Sequence, residues 1–305
     1  MNKTIRIGTR DSELALWQAH TVAKKLNDLG YPTEIVAVKS TGDIILDKPL
    51  YELGITGIFT KTLDIAMIKG EVDIAVHSMK DVPTALPTGI VQAAVLERAN
   101  TVDILVHKGN LDFLNGNGII ATGSLRRKAQ WLHKFPTHEV VDLRGNVNTR
   151  MQKLHDNNWN GAVFAAAGLE RINLKPDTYI DLDWMTPAPA QGAMVVVAME
   201  NDPFCREAVA KLNHKETEIC THIERQFLRE LEGGCTAPIG ALATVSENTI
   251  TFKGVLFSLD GTEKHEIEKV VSLDDYRELG QKAAREVLDN GGSVLMALIK
   301  KTLQK

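Results

Sequence analysis

Short apolar runs alternate with helix-length amphipathic stretches through the first two-thirds of the chain. That alternation constrains it to layered α/β folds built from βαβ units and a mostly parallel sheet. Ile5 to Gly8 reads as a strand. Ser12 to Leu29 reads as a helix with Leu14, Trp17, Val22, Leu26 and Leu29 near one face, and Gly30 stops it. Glu34 to Lys39 is the next strand, Thr60 to Ile68 a second helix, and Asp73 to His77 a strand opening into Ser78-Met79-Lys80-Asp81-Val82-Pro83. The pattern restarts near residue 100. Strands at Ile119–Thr122, Glu139–Leu143 and Ala162–Ala166 alternate with helices at Ser124–His133 and Val147–Asn157. Pro187 to Gly192 is a stiff connector before the strand Ala193 to Met199.

The last part has a different grammar. Glu216 to Leu231 is one helix, ended by Gly233-Gly234. Ile239–Val245, Thr249–Ser258 and Glu263–Val271 read as antiparallel strands with Asp260-Gly261 as a hairpin turn, and amphipathic helices follow at Asp274–Leu288 and Ser293–Leu303. A chain of 305 residues suits two domains or three small ones, and 44% hydrophobic residues can bury a sizeable core. No internal sequence repeat is visible.

Charge and cysteine usage exclude several classes of function. A net charge of −4 does not suit a nucleic-acid coat or a polybasic membrane anchor. No apolar run reaches the roughly eighteen residues of a membrane span, and the N-terminus shows no secretory h-region. Cys205, Cys220 and Cys235 are odd in number and far apart, so the expectation is a reducing cytoplasm without a disulfide scaffold, zinc ribbon or other metal site.

Arginine placement is the most informative chemical signal. Five of the thirteen arginines, Arg126, Arg127, Arg144, Arg150 and Arg171, fall between residues 121 and 171, at the ends of elements. Ligands of α/β sheets bind beyond the carboxyl ends of strands, where helix N-termini favour anions. A guanidinium stays charged there and suits carboxylate or phosphate oxygens, so an anion should occupy the site. Arg10-Asp11-Ser12 repeats that geometry after the first strand, with Ser12 as the cap. Lys80-Asp81 sets a cation and a carboxylate beyond another strand, and Asp81 is a candidate general acid or partner for a developing cation. Cys235 follows two glycines on a turn, while Cys205 and Cys220 lie in helical stretches and read as packing residues. The histidines, His77 among them, read as surface or satisfied core residues. No Ser-His-Asp order, phosphate-binding glycine loop or metal-ligand spacing is present.

Taken in order, Gly8-Thr9-Arg10-Asp11-Ser12, Ala75-Val76-His77-Ser78-Met79-Lys80-Asp81-Val82-Pro83, Gly123-Ser124-Leu125-Arg126-Arg127, Leu143-Arg144-Gly145-Asn146-Val147-Asn148-Thr149-Arg150, Ala167-Gly168-Leu169 and Leu231-Glu232-Gly233-Gly234-Cys235 resemble the hydroxymethylbilane synthase, or porphobilinogen deaminase, family over essentially the whole chain. The resemblance implies two doubly wound α/β domains like type II periplasmic binding proteins, 1–98 with 193–215 and 99–192, plus a small α+β domain, 216–305, carrying the cofactor cysteine. It implies a transferase of tetrapyrrole biosynthesis that joins four porphobilinogen molecules head to tail with loss of ammonia, giving hydroxymethylbilane. A dipyrromethane cofactor is implied, one per chain, held by a thioether at Cys235 and contacted by Lys80, Asp81, Thr122, Ser124, Arg126, Arg127, Arg144 and Gly145. Substrate contacts are implied at Arg10, Ser12, Ser78, Arg144, Arg150, Ala167, Arg171 and Gln191. Asp81 is the implied catalytic group, assisting loss of the amine and stabilising the resulting cation. A cytoplasmic monomer without nucleic-acid or membrane partners completes the expectation.

Three positions depart from the family pattern. Gly54-Ile55-Thr56-Gly57 lacks a common lysine, Thr122-Gly123-Ser124 replaces Thr-Ser-Ser and loses one hydroxyl, and Ala190-Gln191-Gly192 replaces Gly-Gln-Gly. Two rivals are a cytoplasmic organic-anion binding protein without catalysis and a phosphate-handling enzyme. The first needs no thiol, and the second wants a metal-binding carboxylate set or glycine-rich loop that is not evident.

Overall fold

The computed structural model describes residues 3–38, 60–231 and 237–303. The described residues divide into two compact units: 3–38, 60–99 and 192–218 in the first, and 100–191 together with the described chain from Ile219 onward in the second.

In the first unit β1 (Ile5–Arg10) feeds α1 (Glu13–Asp28), β2 (Thr33–Val38) follows, and α2 (Lys61–Ile68) leads into β3 (Ile74–Ser78) and β4 (Ile90–Val95). β10 (Met194–Met199) and α6 (Pro203–Ala210) complete it, and the sheet order is β2-β1-β3-β10-β4. Alternation in β1 sends Ile5 and Ile7 into a core with Ala19, Val22 and Leu26 of α1 and Ile74 and Val76 of β3. The buried stripe of α1 is rotated from the expected one. Ala15, Gln18, Ala19, Val22, Ala23 and Leu26 face inward, while Trp17 and Leu29 are exposed. The three alanines of that stripe let the helix lie close to the sheet beside Val22 and Leu26. Gly30 adopts φ +86° and ends the helix in the left-handed region.

The second unit repeats the plan. β5 (Asp103–His107), β6 (Ile119–Ala121), α3 (Leu125–Lys134), β7 (Glu139–Val141), α4 (Val147–Asp156), β8 (Gly161–Ala165), α5 (Ala166–Glu170) and β9 (Tyr179–Asp181) give the order β7-β6-β8-β5-β9. Both sheets are mixed, which corrects the expectation of mostly parallel pairing. β10 is antiparallel to β3 and β4, and β5 is antiparallel to β8 and β9. β5 follows the passage at 99/100 and β10 the passage at 191/192, and each stands fourth in its sheet order. The repeat is one of topology: the restart of the strand–helix pattern near residue 100 announces it, while no repeat of residue identity accompanies it.

From Ile219 on, α7 (Lys215–Glu230) packs on an antiparallel sheet of β11 (Ile239–Ser246), β12 (Thr249–Phe257) and β13 (Lys264–Ser272). α8 (Leu279–Val287) and α9 (Ser293–Leu303) close its core around Phe227, Phe252, Leu256 and Ile299. The stretch expected as one helix from Asp274 begins as a 3-10 turn, Leu273–Glu278, before α8. β4, β5, β9 and α5 were not legible in advance, because Gln92 and Asp103 interrupt the apolar signal of the first two, β9 has three residues and α5 five.

Candidate active site

The first unit builds a polar cavity at the carboxyl ends of β1 and β3. Ser12 caps α1, its Oγ accepting from the Ala15 N–H at 3.4 Å. One turn later the buried Gln18 donates its amide to Ser78 Oγ at 2.8 Å, tying the helix to the end of β3. Ser78 leads into a single 3-10 turn, Met79–Asp81. The Met79 N–H donates to Ala193 O, and the Val82 N–H closes on Met79 O. With Met79 buried as an anchor, Lys80 and Asp81 are held half-buried beyond the strand. Arg10, Ser12, Gln18, His77, Ser78 and Asp81 line a cavity of about 60 Å³.

His77 is not the satisfied core residue that sequence reasoning expects. It is 6% exposed, and its Nε2 has no hydrogen-bond partner. Burial, and then the charge of Arg10, push its pKa down to about 4, so the imidazole is neutral at physiological pH.

In the second unit the arginines divide into two groups. Ser124 caps α3, accepting from the Arg127 N–H at 3.4 Å, and Thr122 Oγ1 accepts from the Ser124 N–H. Arg126 and Arg127, in the first turn, are both buried and turn to an internal anion, Asp103. Arg126 Nη2 lies 2.7 Å from Asp103 Oδ2, and its Nη1 donates to Thr186 O. Arg127 donates Nε and Nη2 to Asp103 Oδ1 at 3.0 and 2.7 Å and Nη1 to Val163 O. Gln191, expected at the substrate, is fully buried and donates to Thr101 O and Asp103 Oδ1.

The second group gathers at the start of α4. Asn146 caps that helix, its side chain accepting from the Thr149 N–H at 2.9 Å. Gly145 takes φ +114°, where a Cβ would sit 2.7 Å from Thr149 Cγ2, so only glycine fits. Arg150 donates Nε to Gly145 O and Lys153 donates to Arg144 O, which pins the loop. Arg144 is buried, and desolvation lowers its pKa against the opposing charge of Asp142. Arg171 follows α5, where Ala167 is buried. Burial pushes Arg171 down to about 10 against the pull of Glu170, and it still carries its charge at neutral pH.

The two groups adjoin through their loops. The Thr122 N–H donates to Val141 O, and a Cβ on Gly123 would lie 2.6 Å from Leu143 O. The hydroxyl missing at position 123 therefore reflects backbone contact, which leaves no room for a side chain.

Sequence reasoning missed Asp103, Gln18 and the interior role of Gln191. A carboxylate inside the apolar run Val102–Val106 was the available signal for Asp103, since a buried charge must be paired. Among the cysteines, Cys205 and Cys220 are buried, and burial pushes the Cys205 thiol up to about 12. Cys235, Thr56 and Gly54 lie outside the described residues.

Residues 5–207 match the family model described as porphobilinogen deaminase, dipyromethane cofactor binding domain, and residues 218–289 match porphobilinogen deaminase, C-terminal domain. The porphobilinogen deaminase of Chlorobium chlorochromatii is 40% identical, covering 99% of this chain and 100% of that protein. That of Chloroherpeton thalassium is 42% identical over 90% of this chain and 89% of its own length. Solved structures similar to the chain include the periplasmic VFT2 domain of Bordetella pertussis BvgS, 13% identical, covering 68% of this chain and 86% of that one, with a TM-score of 0.41. A periplasmic substrate-binding protein of a Coxiella burnetii ABC transporter is 17% identical, covering 68% and 91%, with a TM-score of 0.43. Carrying both family domains in order and aligning with such relatives nearly end to end, the chain belongs to the porphobilinogen deaminase family.

Proposed function

We propose that the chain joins four porphobilinogen molecules head to tail, with loss of ammonia at each addition, to give hydroxymethylbilane, and that Asp81 is its catalytic group. The observation that carries the chemistry is the cavity in which the Asp81 carboxylate meets Arg10, Ser12 and Ser78. The Arg10 fork suits a substrate carboxylate, and the hydroxyls of Ser12 and Ser78 orient the unit beside it. Asp81 is placed to stabilise the positive charge that develops on substrate as the amine departs. An anion-binding protein without chemistry is not favoured, because the relatives that bear an enzyme's name align over 89–100% of their length.

The second unit fits a carboxylate-bearing cofactor. Thr122, Ser124, Arg126 and Arg144 form a cationic and hydroxyl-rich set, and Arg126 Nε is a buried donor with no partner among the described residues. When bound, the dipyrromethane would supply the free pyrrole position to which the first unit is joined, each later unit adding to the end of the chain. We assign Cys235 as its attachment point, because a thiol pushed to about 12, as at Cys205, provides almost no thiolate at neutral pH and Cys220 is buried. The reading includes Arg150 and Arg171 as further contacts for substrate carboxylates, a third domain over 216–305, and a monomer in the cytoplasm. No described helix is long and apolar enough to cross a membrane.

The test pairs intact mass with turnover. Purified protein should carry the added mass of two pyrrole units, absent in Cys235→Ala, and should consume porphobilinogen. Asp81→Ala should keep the added mass and lose most turnover; a near-normal rate would remove Asp81 from its role.

A further inference from the structure

Asp103 is the point on which the second unit's buried polar groups converge. It opens β5 and is fully buried. Oδ1 accepts from Arg127 Nε, Arg127 Nη2 and Gln191 Nε2, and Oδ2 lies 2.7 Å from Arg126 Nη2. Two guanidiniums face this one carboxylate, so the three side chains together keep one positive charge in excess. Both arginines also occupy the first turn of α3, where the helix dipole disfavours a cation. Without Asp103 the partners of the two buried guanidiniums among the described residues would be the neutral carbonyls of Thr186 and Val163, which supply no counter-charge. Gln191 adds a brace. Its amide reaches Thr101 O at 2.8 Å as well as Asp103, so the last residue of the segment 100–191 is tied to its first turn of chain at the carboxylate.

We propose that Asp103, braced by Gln191, is the positioning residue of the Arg126–Arg127 pair: it orients both guanidiniums and leaves them a single charge in excess for one ligand carboxylate, and Gln191 acts through Asp103 and does not touch substrate. The inference rests on the reading that these arginines serve carboxylates of the cofactor or the growing chain. The surplus charge and the unpartnered Arg126 Nε are what a carboxylate would meet. Asp103 is sealed from solvent by its donors, so its effect on a ligand passes through the arginines alone.

The experiment incubates purified Asp103→Ala with porphobilinogen and reads two things: the fraction gaining the mass of the covalent group, and the rate of porphobilinogen consumption. Loading should fall by about tenfold or more, the scale of removing one partner from a buried charge pair. Sodium formate should restore it several-fold by returning an anion to the vacated space, while formamide, of the same shape without the charge, should not. Equal rescue by both would reduce Asp103 to a packing role and overturn the proposal, as would wild-type loading without any additive. Should Asp103→Ala fail to fold by circular dichroism, Asp103→Asn is read in the same way, and wild-type loading there overturns the proposal. Gln191→Met should fold, load poorly and leave the KM for porphobilinogen within about twofold in its loaded fraction; a large KM increase with full loading would return Gln191 to the substrate. Wild-type protein that gains no mass and consumes no porphobilinogen refutes the functional reading and removes this inference with it.

Discussion

Mild acid should destabilise the first unit through His77, and the magnitude follows from its burial. The ring is held neutral, with its pKa pushed down to about 4 by desolvation and then by Arg10, against about 6.5 in an unfolded chain. Between those values the unfolded state binds the extra proton, so stability falls as pH drops through that window and is unaffected above it. The full difference is worth roughly 3 kcal/mol, and at pH 4.5 roughly 2–3 kcal/mol is already lost. That is a large fraction of the roughly 5–15 kcal/mol by which proteins of this kind are stable. Asp73 titrates elsewhere. Its pKa is lowered to about 2 by hydrogen bonds from Arg6 and Lys3 that outweigh desolvation, the largest single influence, so its contribution is present above about 3.8 and disappears only in stronger acid. Asp64, raised by burial, acts with the opposite sign. The assay is urea denaturation of wild type and His77→Gln between pH 8 and pH 4.5. Terms common to both proteins cancel, and the wild type should lose about 2–3 kcal/mol relative to the variant across that range. Parallel stability curves would show that His77 is not held neutral by its surroundings and would refute the argument.

Three shorter predictions follow from the second unit. Gly123→Ser should lower stability by roughly 1–3 kcal/mol, since its Cβ would lie 2.6 Å from Leu143 O and the loops cannot both stay in place; an unchanged Tm would show that the loop yields freely. Glu224→Leu should cost at least about 2 kcal/mol in denaturation experiments, because the fully buried carboxylate accepts from the N–H groups of Ala190 and Ala243 and both would be orphaned. Arg150→Leu should slow turnover and accumulate partial chains by intact mass, since the residue combines a charge with the Nε bond to Gly145 O that shapes the loop; unaltered turnover without partial chains would count against the contact.

Local chemistry was enough for the residues at element ends. Ser12, Ser124 and the Lys80-Asp81 turn could be placed because capping side chains, glycine stops and apolar periodicity act over a few residues, and the structure puts Ser12 and Ser124 at their caps. The family motifs were equally local, so membership could be read from residue identity alone. What the sequence could not contain is which charge answers which. Arg126 and Arg127 looked like groups awaiting an external anion, and only the folded second unit brings Asp103 beneath them and Gln191 from the far end of the segment to brace it. The same holds for His77, whose neutrality comes from its exclusion from water next to Arg10. Mixed pairing in both sheets was also invisible, because the direction in which β5 and β10 enter depends on the route of the chain between units. Periodicity reports which face of an element is buried, whereas the partner of a buried charge is set by contacts between residues tens of positions apart, and those exist only once the chain has folded.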